Sequence, residues 1–312
     1  MEYTTLGRTD LKVSVAGLGC GGPSRLGRRA GASQKQAIDL IHHAIDLGIN
    51  FFDTAHVYGT EEVLGAALAS VPRDSVIVST KYAAVGVSAE QIVARLDDSL
   101  RALETDYVDV FHLHGVKPKD YDHALKILAP ALLRERERGK IRFLGITESL
   151  TLDPEQTVLQ RALDDGCWDV IMILFNMMHQ GAHTSVVARS NERNIGTLIM
   201  SAVRSLFSSP VLLTQTIKEL VAAGRVPATL GETNDPLGFL VHERGADSVI
   251  DAAYRFARHA PGADVVLFGT GSSAHMEANI SSLLKPPLPK ADLDRLADLF
   301  GHLRDVGMRE SI

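Results

Sequence analysis

Residues 48–59 read Gly48-Ile49-Asn50-Phe51-Phe52-Asp53-Thr54-Ala55-His56-Val57-Tyr58-Gly59. A glycine turn opens the stretch, a short apolar run follows, and the run ends on a carboxylate with a tyrosine one loop further on. The same arrangement returns twice. Val76-Ile77-Val78-Ser79-Thr80-Lys81 ends on an ammonium, and Tyr107-Val108-Asp109-Val110-Phe111-His112-Leu113-His114 ends on an imidazole. Runs that are apolar along most of their length read as strands covered on both faces, the habit of parallel sheets. Parallel strands that each deliver a polar group at the same end assemble a site along one shared rim.

Working outward, the strand pattern recurs at 15–19, 50–52, 76–80, 108–112, 143–146, 170–173, 197–200 and 265–268. Amphipathic stretches alternate with these runs at 35–47, 61–69, 89–103, 121–138, 154–163, 185–193, 246–259 and 274–284. Ile92, Leu96, Leu100 and Leu103 recur at helical spacing, and Ser88 with Gln91 reads as a capping box at the start of that helix. Ser273 is the expected cap of the eighth helix, and Pro154 the expected first residue of the fifth. Strictly alternating strands and helices imply right-handed parallel crossovers. Eight such units in 312 residues favour a closed (β/α)8 TIM barrel, one domain spanning 1–312, over an open doubly wound sheet. No GxGxxG turn follows the first strand, so a Rossmann half has no support.

Three segments lie outside the alternation. Leu6-Gly7-Arg8-Thr9-Asp10 reads as the turn of an N-terminal β-hairpin. A long loop after strand seven, residues 202–245, holds an extra helix at 212–223 and is either a cover for a ligand or a disordered excursion. A C-terminal extra helix is expected at 292–306.

Bulk properties exclude several classes of function. The net charge is −6 (32 basic against 38 acidic residues), with no long basic block, which argues against nucleic acid as the main partner. No signal-peptide pattern opens the chain, and no apolar run approaches membrane-span length. Cys20 and Cys167 have no metal-type spacing and are expected to stay reduced. A soluble cytoplasmic protein is expected, a monomer or weak homo-oligomer, with neither nucleic acid nor membrane as its partner.

The chemistry follows from the rim. In such a barrel, residues at the C-terminal strand ends face the active-site mouth. A phenol, with a pKa of about 10, is a poor acid at neutral pH, and a neighbouring ammonium stabilises its ionised form. A carboxylate would keep the lysine protonated, and a histidine would donate to a substrate oxygen. Together they suit proton donation to a carbonyl as hydride reaches its carbon. Taken singly, Asp53 reads as a turn cap, Lys81 as a surface lysine, His114 as a packed histidine and Tyr58 as a loop tyrosine. Their shared position on consecutive strand ends argues for a site. A competing assignment is a metal-dependent barrel hydrolase, with His112, His114, His179 and Asp53 as ligands, although no histidine follows strand five.

The chain resembles the aldo-keto reductase superfamily from its hairpin to about Asn279. Gly48–Gly59 is similar to the family's glycine-x-asparagine-x-phenylalanine-aspartate-threonine-alanine signature ending in tyrosine-glycine. Ser79-Thr80-Lys81 and Asp109 through His114 are similar to its lysine and histidine motifs. The resemblance implies a catalytic tetrad of Tyr58 as general acid, Lys81 tuned by Asp53, and His114 orienting the carbonyl, in an NAD(P)H-dependent reduction of a small-molecule carbonyl to its alcohol or the reverse. It also implies cofactor contacts at Gly19, Cys20, Asp53, Thr147, Met172, Met200, Ser201, Arg204, Gly269, Thr270, Gly271, Ser272, His275 and Asn279. Several of these depart from the family pattern. Thr147-Glu148 stands where serine-asparagine is usual, and Glu148 lacks the amide donor. Met172 replaces a glutamine, and Met200 an aromatic. Gly271 and His275 replace basic or amide groups, so NADPH stands only narrowly ahead of NADH, with His275 or Arg204 as compensating bases. The substrate side draws on Cys20, Arg25, Leu26, Tyr82, Val85, Phe175, Met177, Met178 and His179, while Trp168 belongs to the barrel base. Some proteins of this kind are non-catalytic dinucleotide-binding regulatory subunits, which is the second alternative.

Overall fold

The computed structural model describes residues 1–149 and 151–306. The tail of the expected 1–312 domain, 307–312, lies outside the described residues, as does position 150. Strands β1 (Tyr3–Thr5) and β2 (Lys12–Ser14) form the antiparallel N-terminal hairpin. The eight that follow are β3 (Ala16–Gly19), β4 (Phe51–Asp53), β5 (Ile77–Ala83), β6 (Val108–Val116), β7 (Ile141–Glu148), β8 (Val170–Leu174), β9 (Gly196–Met200) and β10 (Val265–Phe268). They are parallel and close on themselves, β10 pairing with both β9 and β3. The expected (β/α)8 barrel with its hairpin is therefore the fold.

The period of two along each strand separates two cores. Phe52, Val78, Phe111 and Ile146 pack outward against the helices. Phe51, Ile77, Val110, Val170, Met172, Leu198, Val265 and Leu267 fill the barrel interior, together with Leu6, Leu11 and Val13 from the hairpin. The hairpin thus plugs the N-terminal end. Gly7 has φ +46°, and a Cβ there would stand 2.2 Å from the Gly196 backbone nitrogen at the start of β9, so only glycine fits. Arg8 extends the plug by donating to the Trp168 carbonyl and pairing with Asp169. Trp168 is fully buried at this base, as expected.

Local signals were right in kind and wrong in several boundaries. Ser88 and Gln91 form the capping box of the helix Ala89–Ala102. The eighth helix, Ser273–Leu283, is capped by Ser272, one residue before the expected Ser273. The fifth, Thr157–Ala162, starts after Pro154. Its first-turn N–H groups, on Thr157 and Val158, donate to the two carboxylate oxygens of Asp153, which reaches forward to cap it. The helix expected at 121–138 contains a π turn at Ala124–Leu128, immediately before Ala129 and Pro130. Proline has no N–H and crowds the carbonyl of the preceding turn, so the widened turn accommodates it.

The long segment after β9 is ordered and packs as a helical layer. Its extra helix is Pro210–Ala222, starting two residues before the expected position because Ser209 caps it and Pro210 occupies its first turn. Leu213, Ile217 and Leu220 from this helix, Phe300 from the C-terminal helix Lys290–Phe300, and Met177 and Met178 from the loop after β8 share a third hydrophobic cluster. That explains the segment's length: it buries an apolar face of its own. No helix among the described residues is long and apolar enough to cross a membrane.

Candidate active site

β5, β6 and β7 run further toward the rim than expected. Pairing continues through Lys81 with His112 and Ala83 with His114, so the lysine and the histidine belong to the strands themselves. Their side chains alternate with the outward-packed residues and face the barrel interior. Asp53 ends β4 on the same interior face, two residues above Phe51.

The geometry brings all four expected residues together. The Lys81 ammonium is fully buried and donates to Asp53 Oδ1 at 2.7 Å, Asp53 Oδ2 at 2.6 Å and the Thr54 carbonyl at 2.8 Å. Ser79 Oγ also donates to Asp53 Oδ1, at 2.9 Å, sharing that oxygen with the lysine. The Lys81 nitrogen lies 5.2 Å from the centroid of the Tyr58 ring. The Tyr58 and His114 rings meet edge to face, 5.9 Å apart at 86°. Burial opposes the lysine's charge, yet Asp53, assisted by the Tyr58 oxygen, holds the ammonium above its ordinary pKa. Burial and then the Lys81 charge push His114 down to about 3, so it is a neutral imidazole with a single N–H to offer.

One contributor was not recognised in the sequence. Gly21 lies under the Tyr58 ring, and a Cβ there would sit 2.4 Å from Tyr58 Cε2. A paired glycine in the first rim loop, Gly21-Gly22, was the available signal. Gly21→Ala is expected to displace Tyr58 and lower kcat about 10- to 100-fold, since a shift near 1 Å in a reacting group carries that penalty. Measured together, kcat should fall much more than the thermal midpoint does.

The expected cofactor residues divide into two sets. Gly19, Met200, Ser201 and Asn279 are half-buried on the rim, Gly269, Gly271 and His275 are exposed, and Arg204 is half-buried at the mouth of the long segment. Cys20, Met172, Thr147 and Thr270 are buried. Met172 belongs to the interior core, and Thr147 Oγ accepts from the Gly115 N–H at 2.7 Å, steadying the residue after His114. Burial, reinforced by Asp53, raises the Cys20 thiol and leaves it unreactive. Most of the proposed substrate wall proves to be packing: Cys20, Leu26, Phe175, Met177, Met178 and His179 are all buried, and Phe175 stacks on Phe256. Val85 is exposed, and Tyr82 and Arg25 are half-buried.

Residues near Gly269 suit a dinucleotide's phosphates. The rim ends of β3 and β10 approach without side chains, a Cβ on Gly269 lying 3.3 Å from the Gly19 carbonyl oxygen. The helix Ser273–Leu283 points its N-terminus here, and the Ser273 and Ala274 N–H groups have no intrahelical acceptor, the His275 N–H being taken by Ser272 Oγ. Arg29, from the loop after β3, lines a cleft of about 620 Å³ with Gly271 and Ser272. That side chain provides a basic group the strand-ten loop lacks.

Glu148 corrects a sequence expectation. It does not face the mouth. Its Oε1 accepts from the Leu174 N–H, and Gln156 Nε2 donates to the Leu174 carbonyl, so the pair ties the rim ends of β7 and β8 together. Burial, reinforced by Asp153, pushes the carboxyl up to about 8, so at neutral pH the acid form predominates and does carry a donor. Because the folded pKa lies above the unfolded one, the stability it contributes is full below about pH 4.5 and is lost as pH rises through about 8. Glu148→Gln keeps the acceptor without the titration. Relative to the native protein it should gain on the order of 3–5 kcal/mol at pH 9, with the gap closing toward pH 5. Paired denaturant melts across that range read the slope.

The metal-site alternative finds no support: among the described residues no group of three or more His, Cys, Asp and Glu side chains could hold an ion. Comparison with known proteins points elsewhere. A profile of the Aldo/keto reductase family matches residues 18–300. L-galactose dehydrogenase from Arabidopsis thaliana is 38% identical over 197 residues, covering 60% of this chain and 59% of that protein's length. The aldo-keto reductase YhdN from Bacillus subtilis (strain 168) is 28% identical over 301 residues, covering 89% and 87% respectively. Among solved structures, the holo form of aldo-keto reductase AKR11C1 from Bacillus halodurans superposes with a TM-score of 0.73 at 21% identity, over 99% of this chain and 100% of that one. At that identity the likeness speaks to the fold.

Proposed function

The chain belongs to the aldo/keto reductase family and is an NAD(P)H-dependent oxidoreductase, and from that premise we propose that it reduces an aldehyde or ketone, or oxidises the alcohol, with Tyr58 as the proton donor and acceptor. The observation that carries the reading is the buried Lys81 ammonium, fixed by Asp53 and Thr54 and lying 5.2 Å from the Tyr58 ring. A positive charge held there lowers the free energy of a phenolate, and so of proton release. His114, neutral and half-buried, donates its N–H to the carbonyl oxygen and directs it toward Tyr58. Asp53 keeps Lys81 charged and pointed. Met200 and Ser201 at the end of β9 would hold the nicotinamide ring, which would supply the hydride, and Gly269 through Ser272 with the following helix N-terminus would hold the phosphates. Arg29 beside Gly271 favours the additional phosphate of NADPH and keeps that dinucleotide ahead of NADH.

The exposed Val57 and Val85, on the loops after β4 and β5, give the rim an apolar border suited to a small carbonyl compound, while Tyr82 packs outward against the helices. The relative named for L-galactose adds that sugar to the substrates worth assaying. Oxidation of NADPH and NADH, followed against aldehydes, ketones and sugars, tests the reading. Turnover with at least one pairing is expected. Tight dinucleotide binding without turnover on any substrate would move the protein to a regulatory role.

A further inference from the structure

β6 carries a second imidazole that the mechanism above does not use. His112 faces the barrel interior one step below His114 and is completely buried. Neither of its ring nitrogens meets a donor or acceptor among the described residues. The room for its ring comes from the next strand: on Gly145, its register partner, a Cβ would stand 2.2 Å from His112 Nδ1. A glycine standing against a polar ring in the barrel interior makes a built space for it, and a buried polar group without a partner is costly.

Lys81, the register partner on the other side, has nothing to give. Its three donors go to Asp53 and Thr54. That leaves His114. Cα atoms two apart on one strand face stand about 6.6 Å apart, a spacing that makes the two rings neighbours on that face and lets one water join them through two bonds of about 2.8 Å. We propose that His112 is a positioning residue for His114, holding an internal water between the two rings and thereby fixing which His114 nitrogen carries the proton. The role rests on the function proposed above, because a neutral imidazole has a single N–H and only one tautomer presents it to the carbonyl.

The test reads the tautomer directly. Nitrogen-15 shifts of the His114 ring in the free protein should report one tautomer in the native chain and a mixture in His112→Phe, with His112→Asn, which keeps a donor and an acceptor, restoring the single form. In turnover, His112→Phe should lower kcat about 10- to 100-fold with little change in KM, as loss of a supporting hydrogen bond does elsewhere, and His112→Asn should recover most of it. A mixed tautomer in the native protein, or an unchanged one in His112→Phe, overturns the proposal. Should the phenylalanine variant not fold, a crystal structure of the native protein decides between a water bridging the two rings and none, the second outcome also overturning it. Because the shifts are read without substrate or dinucleotide, absence of turnover in the native protein would count against the proposed function and leave this result standing.

Discussion

Tyr58→Phe should reduce kcat by about 10²- to 10⁴-fold while leaving dinucleotide binding and the thermal midpoint close to native, the range expected when a positioned general acid is removed. The change deletes one oxygen and keeps the ring. Its edge-to-face contact with His114, its packing on Gly21 and its position 5.2 Å from the Lys81 nitrogen all depend on ring carbons and survive. Loss of that one oxygen costs at most about 0.5–1.5 kcal/mol, the net worth of a single hydrogen bond. Turnover, binding and melting measured on the same preparation separate the loss of a proton donor from the loss of a fold.

Lys81→Met produces a different signature, because it damages both stability and chemistry. Asp53 is 4% exposed, and after the change its carboxylate keeps only the Ser79 hydroxyl from this group of contacts. Removing one partner of a buried pair leaves an uncompensated charge and typically destabilises by about 3–5 kcal/mol. The native lysine's pKa lies above its ordinary value, so the pair's contribution is fully present below that ordinary value and lost only as pH rises through the raised one. The loss in Lys81→Met is therefore undiminished at neutral pH. The double variant Asp53→Asn with Lys81→Met removes both charges and should recover most of the stability, because the two sites are directly coupled. It should recover no turnover, since nothing then favours the Tyr58 phenolate. Denaturant melts and kcat on the two singles and the double complete the cycle.

Much of this was legible in the chain. Asp53, Tyr58, Lys81 and His114 stand at the ends of apolar runs because a barrel rim collects the ends of its strands, and pattern alone exposes that. The hairpin was legible for a similar reason: Gly7 sits in a turn between two short runs. What pattern could not show was the effect of neighbours far away in sequence. Whether Met177 or Phe175 lines a pocket depends on Phe256 and the helix Pro210–Ala222, which cover them from elsewhere in the chain. Glu148 looked like a lost donor because its protonation is set by burial between β7 and β8. Gly21 and Gly145 carry no side chain to read, and their importance lies in the rings of Tyr58 and His112 that occupy the space. The start of the fifth helix slipped past Pro154 because Asp153 caps from a distance that local pairing rules do not cover.

The most direct test is isotopic. Native protein is supplied with NADPH or NADH deuterated at the transferring position of the nicotinamide and with a panel of aldehydes, ketones and sugars, and the products are weighed by mass spectrometry. The expected result is an alcohol carrying one deuterium on the former carbonyl carbon, formed at least a hundredfold more slowly by Tyr58→Phe, roughly the lower bound for loss of a general acid. Absence of labelled alcohol from every pairing, or its formation by Tyr58→Phe at the native rate, would contradict the central claim.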